Sequence, residues 1–396
     1  MKLLRNIILY LIALFVPVLF LPAVFGDSIG IPKLLVLVIG NVSLLLMWAY
    51  EVYRTGSLRW MNTYFDMPLL GLALAYVAGA VFASPNTKGS LLSPAGAGAM
   101  LMLVLFYMLV IQTKSLVRST HHSVHTDSNT GKLPIAKFIA LIRKSDNILM
   151  NGLVHGALVV ALWNIVNVGM QLASFSFTYN ISQVTLQFPL TQLSPIGDVI
   201  TQLVFLLITL AYLLINLSNR SIFGYIQQTV LLLGVVGSGY VLTQTTPFPL
   251  LPLRQGWIIA IETFKNAPFF GVGPENFITA FTRYKSADIN VTDYWNITFG
   301  LSSNLYLHLL TTVGVLGLGF YLLLVRRIYK SFKTGGLVGK NILRLLLGIA
   351  LVQLIVPSGI SLLFVELVLL SEYAMKTSAP ATKIKLVKVT ESIGDN

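Results

Sequence analysis

Polar side chains able to bind and transfer charged groups occur between Arg254 and Gly317, inside an otherwise apolar chain. Arg254 and Lys265 are cations three helical turns apart, so both can face one side of a helix. A guanidinium matches phosphate oxygens with forked, charge-assisted hydrogen bonds, and an ammonium adds a looser point charge. Residue type alone favours anchoring at lipid headgroups, with a diphosphate pocket as the alternative.

Candidates for acid–base chemistry follow in the same segment. Glu275 comes after Gly271-Val272-Gly273-Pro274, which permits a tight turn and a close backbone approach. It is one of few carboxylates outside the apolar segments, so it is a candidate base by elimination. His308 lies near the start of an apolar segment, which indicates either a functional site or a position at the membrane interface. Ser303 donates and accepts hydrogen bonds but is no base near neutral pH.

The apolar segments that must position these residues dominate the composition. Hydrophobic residues make up 55% of the 396 residues and charged residues only 10%, which excludes a soluble globule. A membrane span needs roughly 20 mostly apolar residues. The sequence predicts an all-α bundle of about ten spans, near residues 6–25, 34–50, 67–83, 92–112, 148–172, 197–217, 221–243, 304–325, 341–356 and 358–374. The last two are short, so nine or eleven spans remain possible.

The distribution of Lys and Arg orients this bundle, because cytoplasmic loops carry the basic excess. With both termini in the cytoplasm, most of the 27 Lys and Arg residues fall inside. The outer loops hold Lys33, Lys88, Arg254, Lys265, Arg283 and Lys285. The net charge of +13 is therefore a sign of topology, and we predict contact with membrane lipids and no nucleic-acid partner.

This topology divides the chain into four parts. Residues 1–243 form seven spans with a cytoplasmic loop at 113–147, and residues 244–303 form an external, partly helical substrate-binding loop. Residues 304–375 form the last three spans, and residues 376–396 a basic cytoplasmic tail. In the external loop, Leu253, Trp257, Ile261 and Phe264 recur at helical spacing, which predicts an amphipathic helix on the outer membrane surface.

Metal chemistry finds little support in the sequence. Cysteine is absent, which excludes disulfides and thiolate ligands. His121, His122 and His125 have no carboxylate at a spacing that would close a metal site, so their segment is interpreted as a solvated linker. We predict no metal and no cofactor.

The order of short motifs resembles the O-antigen ligase and polymerase family. The chain has Arg254-Gln255-Gly256-Trp257, then Pro268 to Phe277 with its Gly271-x-Gly273, then Ser303-Asn304-Leu305-Tyr306-Leu307, and then Gly314-Val315-Leu316-Gly317. The family has Arg-x-x-Trp, Pro-x-x-Gly-x-Gly, His-Asn-x-Tyr-Leu and Gly-x-x-Gly in that order. The resemblance covers about 65 residues, and Ser303 stands where the family usually has His.

The resemblance implies a metal-independent glycosyltransferase of the bacterial cytoplasmic (inner) membrane, acting in polysaccharide biosynthesis for the cell envelope. It would move a glycan from an undecaprenyl diphosphate carrier to a lipid, glycan or protein acceptor on the outer face. Arg254 and Arg283 would stabilise the departing diphosphate, with Lys265, Asn304 and Tyr306 as further substrate-binding candidates. The catalytic candidates are Glu275, Ser303 and His308.

Two other functions remain open from the sequence. A non-catalytic binder or partner subunit for lipid-linked glycans would keep the pocket and lack the chemistry, and Ser303 in place of the family His favours it. A membrane transporter would place ionisable residues at mid-span and breaks in matching helices. Neither feature is clear in the sequence.

Overall fold

The computed structural model describes residues 2–21, 27–115, 147–181, 184–188, 194–216, 222–245, 250–336, 339–377 and 382–385. Residues 116–146 of the predicted cytoplasmic loop, with its three histidines, lie outside this range, as do residues 386–396 of the predicted tail.

The described chain is all-α apart from two short antiparallel strand pairs. In chain order its elements are α1 (Lys2–Val18), α2 (Gly30–Thr55), β1 (Ser57–Trp60), α3 (Asp66–Phe82), α4 (Thr87–Leu92), α5 (Ala97–Ser115), α6 (Ile148–Leu172), β2 (Phe177–Ile181), β3 (Val184–Phe188), α7 (Val199–Asn216), α8 (Ile222–Gln244), α9 (Leu253–Asn266), α10 (Phe277–Tyr284), a 3-10 turn (Ala287–Val291), α11 (Leu305–Thr312), α12 (Gly314–Thr334), α13 (Lys340–Val352), α14 (Ile360–Thr377) and β4 (Thr382–Lys385). Strand β1 pairs with β4, and β2 pairs with β3.

The helices have the apolar character of a helical membrane protein. Among the described residues, four helical segments are long and apolar enough to cross a membrane: Gly30–Thr55, Thr87–Thr113, Ile148–Leu172 and Ile222–Gln244. Asp66–Phe82 and Val199–Ile215 are apolar but shorter. The helical membrane architecture agrees with the sequence prediction, while the count of about ten spans stays a prediction.

Helix α14 forms the centre of the bundle. It contacts α5, α6, α7 and α13 among others, and every residue from Phe364 to Ala374 is buried. A helix that is apolar on nearly all sides is stable only when other helices surround it, which explains its position. Residues 353–359 separate α13 from α14, where Pro357-Ser358-Gly359 predicts a break.

The predicted span at 304–325 is not one continuous helix. It is interrupted between α11 and α12, where Gly314 adopts a positive φ of 71°. A Cβ added at Gly314 would lie 2.3 Å from the backbone oxygen of Phe269. The segment before α10 thus packs directly on the break, and the backbone N–H of Val315 donates to the Pro268 carbonyl at 2.9 Å instead of continuing the helix.

The predicted amphipathic helix in the external loop is α9. Its apolar residues Leu253, Trp257, Ile261 and Phe264 are exposed, whereas Gln255, Gly256, Ile259, Ala260 and Thr263 pack inward. An exposed apolar stripe next to polar loops is the surface expected of a helix that rests on a membrane.

Candidate functional site

The turn from Pro268 to Gly273 fixes the segment between α9 and α10 against α11. The backbone N–H of Val272 donates to the carbonyl of Thr311 at 2.9 Å, which is the last turn of that helix. Gly271 and Gly273 both adopt positive φ angles, of 61° and 88°. A Cβ at Gly271 would lie 2.3 Å from the Thr311 oxygen, so this close approach requires glycine.

Glu275 follows this turn in a strained conformation. Its φ is 67°, one of two positive values among the described non-glycine residues. Such strain costs on the order of 1–3 kcal/mol and is concentrated at functional sites. The Ser93 hydroxyl donates to Oε2 of Glu275 at 2.9 Å, and the Ala95 backbone N–H also donates to this carboxylate. Both bonds fix the carboxylate at the start of α5.

Burial raises the pKa of the Glu275 carboxyl above its ordinary value, and the negative charge of Asp27 raises it further. The hydrogen bonds from Ser93 and from the Ala95 backbone act in the opposite direction, because they stabilise the charged form. A carboxylate with a raised pKa is a stronger base once it is ionised.

Glu275 borders a cavity of about 310 Å³. The other ionisable residues in its lining are Asp27, Asp198 and His308, and Ser361 adds a hydroxyl from the first turn of α14. Lys and Arg are absent from the described residues that line it. The cavity is therefore acidic, unlike the cationic diphosphate pocket predicted from Arg254 and Lys265.

Two of these carboxylates also accept backbone hydrogen bonds at helix starts. Asp27 Oδ1 accepts from the backbone N–H groups of Ile29 and Gly30 at 3.0 and 2.8 Å, at the start of α2. Asp198 accepts from the backbone N–H and hydroxyl of Thr201, both at 2.8 Å, at the start of α7. The sequence signal for Asp198 is an acidic residue directly before an apolar helix, which is typical of an N-cap.

His308 reaches this cavity from α11. It is 8% exposed, and its ring packs on that of Phe277, with centroids 5.5 Å apart. Nδ1 accepts the backbone N–H of Ser302 at 3.4 Å. A neutral imidazole that accepts at Nδ1 carries its proton on Nε2, so His308 presents a hydrogen-bond donor there.

Lys33 lies behind the cavity wall rather than in an exposed outer loop. It is 0% exposed, and its ammonium donates to the Ile196 carbonyl at 2.6 Å and to the Ser361 hydroxyl at 2.8 Å. These bonds join α2, the segment before α7, and α14. Sequence reasoning missed this role, because charge counting treats a Lys beside an apolar run as a loop residue.

Ser303, at the position of the family His, has a packing role. It is buried, and its hydroxyl donates to the Pro252 carbonyl at 3.1 Å. A Cβ added at Gly256 would lie 2.1 Å from Ser303 Oγ, so α9 and the start of α11 are in tight contact here. Ser303 is not among the residues that line the acidic cavity.

The predicted cations occupy exposed positions and take local partners. Arg254 forms an ion pair with Asp288 at 2.9 Å, with 74% of its side chain exposed. Lys265 pairs with Glu262 at 2.6 Å and is 61% exposed. Arg283 is also exposed and lies over the ring of Tyr284. None of the three lines the cavity that holds Glu275 and His308.

Asn304 and Tyr306, the remaining substrate-binding candidates, make structural hydrogen bonds. Asn304 caps α11, its side-chain oxygen accepting the Leu307 N–H at 2.9 Å. The Tyr306 hydroxyl donates to the Ala350 carbonyl at 2.9 Å. Neither residue lines the cavity of Glu275.

A buried carboxylate lies in the helix core. Glu366 of α14 accepts from the Gln353 side-chain amide at 3.1 Å and from the Tyr321 hydroxyl at 3.3 Å. The same hydroxyl donates to Gln353 Oε1. Arg5 and Glu372 are also buried. Ionisable residues are therefore more frequent inside the bundle than the apolar segments of the sequence indicate.

The part of the chain that the structure describes contains no group of three or more His, Asp or Glu residues arranged to hold a metal ion. Comparison with protein-family models gives no match, and no curated protein matches the sequence. The fold and site define an α-helical membrane protein with an acid-lined cavity beneath an ordered loop.

Proposed function

We propose that the protein is a glycosyltransferase of the O-antigen ligase type. It moves a glycan from an undecaprenyl diphosphate carrier to an acceptor hydroxyl at the outer face of the bacterial cytoplasmic membrane. In this proposal about ten spans cross the membrane, both termini are cytoplasmic, and residues 244–303 lie outside. The exposed apolar stripe of α9 supports the proposed position of the loop at a membrane surface.

One observation carries the proposal. The motifs that resemble the family are separate in sequence, yet they pack on one another around α11 through the Val272–Thr311 and Val315–Pro268 backbone hydrogen bonds. The same packing brings the strained Glu275 to the cavity that His308 borders. A base and a hydrogen-bond donor in one cavity are what an acceptor hydroxyl needs for activation and orientation.

The proposed chemistry is a single displacement at the anomeric carbon. Glu275 takes the proton of the acceptor hydroxyl as its oxygen bonds to the anomeric carbon, and the bond from that carbon to the diphosphate oxygen breaks. The bonding electrons leave with the diphosphate. Arg254 and Arg283, exposed on the loop, would stabilise that charge, and the diphosphate would replace Asp288 as the partner of Arg254.

Arg254→Ala should lower transfer by about 10²-fold or more, because it removes a donor to the leaving group. Lys285→Ala is the control, a half-buried cation on the same loop whose ammonium lies over the Phe281 ring. The rate of transfer from a radiolabelled carrier-linked glycan is measured for both variants. Equal losses in the two would contradict a specific diphosphate contact at Arg254.

The pH dependence of the transfer rate should change when residues that contact or repel the Glu275 carboxylate are substituted. A base acts only when ionised, so the rate rises with pH through its pKa. Ser93→Ala removes a hydrogen bond that lowers this pKa, so the rising limb should move to higher pH. Asp27→Asn removes a charge that raises it, so the limb should move to lower pH. Shifts in the same direction for both variants would contradict Glu275 as the base.

A non-catalytic binder of lipid-linked glycan is a second candidate, favoured by Ser303. The tight contact between Ser303 and Gly256 leaves no space for an imidazole without movement of α9. A binder would hold the carrier and release no product, whichever acceptor is offered.

A transporter is favoured by one feature, the buried carboxylate of Glu366. Ionisable groups inside a membrane bundle often carry protons or ions. The glycosyltransferase proposal expects Glu366→Gln to leave transfer within about tenfold of wild type, because Glu366 does not line the cavity of Glu275. Proton flux into proteoliposomes that contain a pH-sensitive dye is measured beside the transfer rate. A proton flux that Glu366→Gln abolishes would favour the transporter.

A further inference from the structure

We propose that the acidic cavity binds a sugar carrying a positively charged amine and excludes sugars that carry a carboxylate. The inference rests on the proposed function, which supplies a sugar as the ligand. It adds the chemical class of that sugar. The cavity is the space bordered by Asp27, Asp198, Glu275, His308 and Ser361.

The carboxylates retain hydrogen-bonding capacity toward the cavity. A carboxylate has about four acceptor positions, and the hydrogen bonds at the helix starts use only part of them. Both backbone bonds to Asp27 reach Oδ1, which leaves Oδ2 available. Asp198 receives two bonds, both from Thr201. An ammonium group offers three donors and the opposite charge, so it satisfies these acceptors better than a neutral hydroxyl.

Charge balance supports the same ligand. Three carboxylates border the cavity, and the ammonium of Lys33 donates to Ser361 behind the cavity wall. Asp27 and Asp198 both act on Lys33 electrostatically. With one ammonium and three carboxylates, the net charge around the cavity is negative whenever Glu275 is ionised. A carboxylate on a sugar would be repelled there, and like charges brought together oppose binding.

One buried polar group independently indicates a ligand with acceptors. Ser358 is 5% exposed, and its hydroxyl has no hydrogen-bond partner among the described residues. It lines an adjoining pocket, and His308 lines both that pocket and the acidic cavity. Buried polar groups are nearly always paired, so the free hydroxyl requires an explanation. The hydroxyl and ring oxygens of a sugar would accept from Ser358 and from Nε2 of His308.

The residues around this space include both acceptors and donors. The acceptors are the carboxylates of Asp27, Asp198 and Glu275, and the donors are His308 and, in the adjoining pocket, Ser358. The cavity volume of about 310 Å³ is at the lower end of small-molecule sites, which accommodates a single small ligand better than an oligosaccharide. An amino sugar has a cationic group for the carboxylates and oxygen acceptors for the donors.

Binding of three methyl glycosides to the purified full-length protein in nanodiscs tests the proposal without requiring transfer. The probes are methyl glucosaminide, methyl glucoside and methyl glucuronide, measured by calorimetry at one pH. The amine should bind about tenfold more tightly than the neutral glycoside, and the glucuronide should bind most weakly.

Asparagine variants remove the charge of a carboxylate and keep its size and shape. Asp27→Asn and Asp198→Asn each keep a side-chain oxygen that can accept the backbone hydrogen bonds at the helix start, because Asn has nearly the shape of Asp. Each should lower the affinity for the amine by about tenfold while leaving the neutral glycoside nearly unchanged. Asp66→Asn is the control, since Asp66 accepts from the Thr63 backbone N–H and does not line the cavity.

Each outcome decides the proposal. Equal binding of the three glycosides, preference for the glucuronide, or no binding by any of them would overturn it. So would equal effects of Asp198→Asn and Asp66→Asn. Glycan transfer without amine selectivity would overturn this inference alone, whereas selective amine binding without transfer would support it and contradict the proposed enzyme.

Discussion

Glu275→Gln should lower the rate of glycan transfer by about 10²- to 10⁴-fold, the usual effect of removing a general base. The amide has nearly the shape of the carboxylate, and its oxygen can accept from both Ser93 and the Ala95 backbone. The strained turn should therefore persist. Initial rates at saturating carrier and acceptor measure the effect, with the unfolding temperature measured in the same detergent.

The control for this substitution is Glu262→Gln. Glu262 is another carboxylate of the external loop, but it is paired with Lys265 at the surface and does not line the cavity. It should retain transfer. A Glu275→Gln protein that transfers glycan at the wild-type rate would show that the carboxylate serves only to fix the start of α5.

Gly271→Ala should be the most destabilising single change in the external loop. Its positive φ alone costs about 1–3 kcal/mol for a residue with a side chain. The new methyl group would also meet the backbone oxygen of Thr311 at 2.3 Å, and a backbone atom cannot rotate away as a side chain can. The Val272–Thr311 hydrogen bond should be lost, and with it the ordered position of Glu275. Thermal unfolding in detergent measures the change.

Gly300→Ala provides the comparison within the same loop. Gly300 has no positive φ, and a Cβ added there would meet nothing within 4 Å. Its unfolding temperature should stay close to that of wild type. Similar stability losses in the two variants would show that the Pro268–Gly273 turn has no special conformational requirement.

The sequence predicts the helical architecture well, because long uncharged runs leave few alternatives to membrane helices. It also predicts α9, whose apolar stripe has a clear helical period. The break at Gly314 was not predicted. The apolar pattern continues through it, and the interruption depends on the contact with Phe269, which is distant in sequence.

The candidate site could be predicted only in part. Glu275 was proposed by elimination and His308 from its apolar surroundings, and the structure brings both to one cavity. The catalytic and binding roles of these and the other candidates stay predictions. Asp198 and Lys33 were missed, because their positions depend on how distant helices pack. Sequence spacing describes one helix at a time and cannot show which helix ends meet.

The most direct test of the central proposal is transfer by the purified protein in nanodiscs from radiolabelled undecaprenyl diphosphate glycans to a panel of lipid, glycan and protein acceptors. The proposal predicts labelled product with wild type and much less with Arg254→Ala or Glu275→Gln. Binding of the carrier with no product on any acceptor would contradict a glycosyltransferase and identify the protein as a binder.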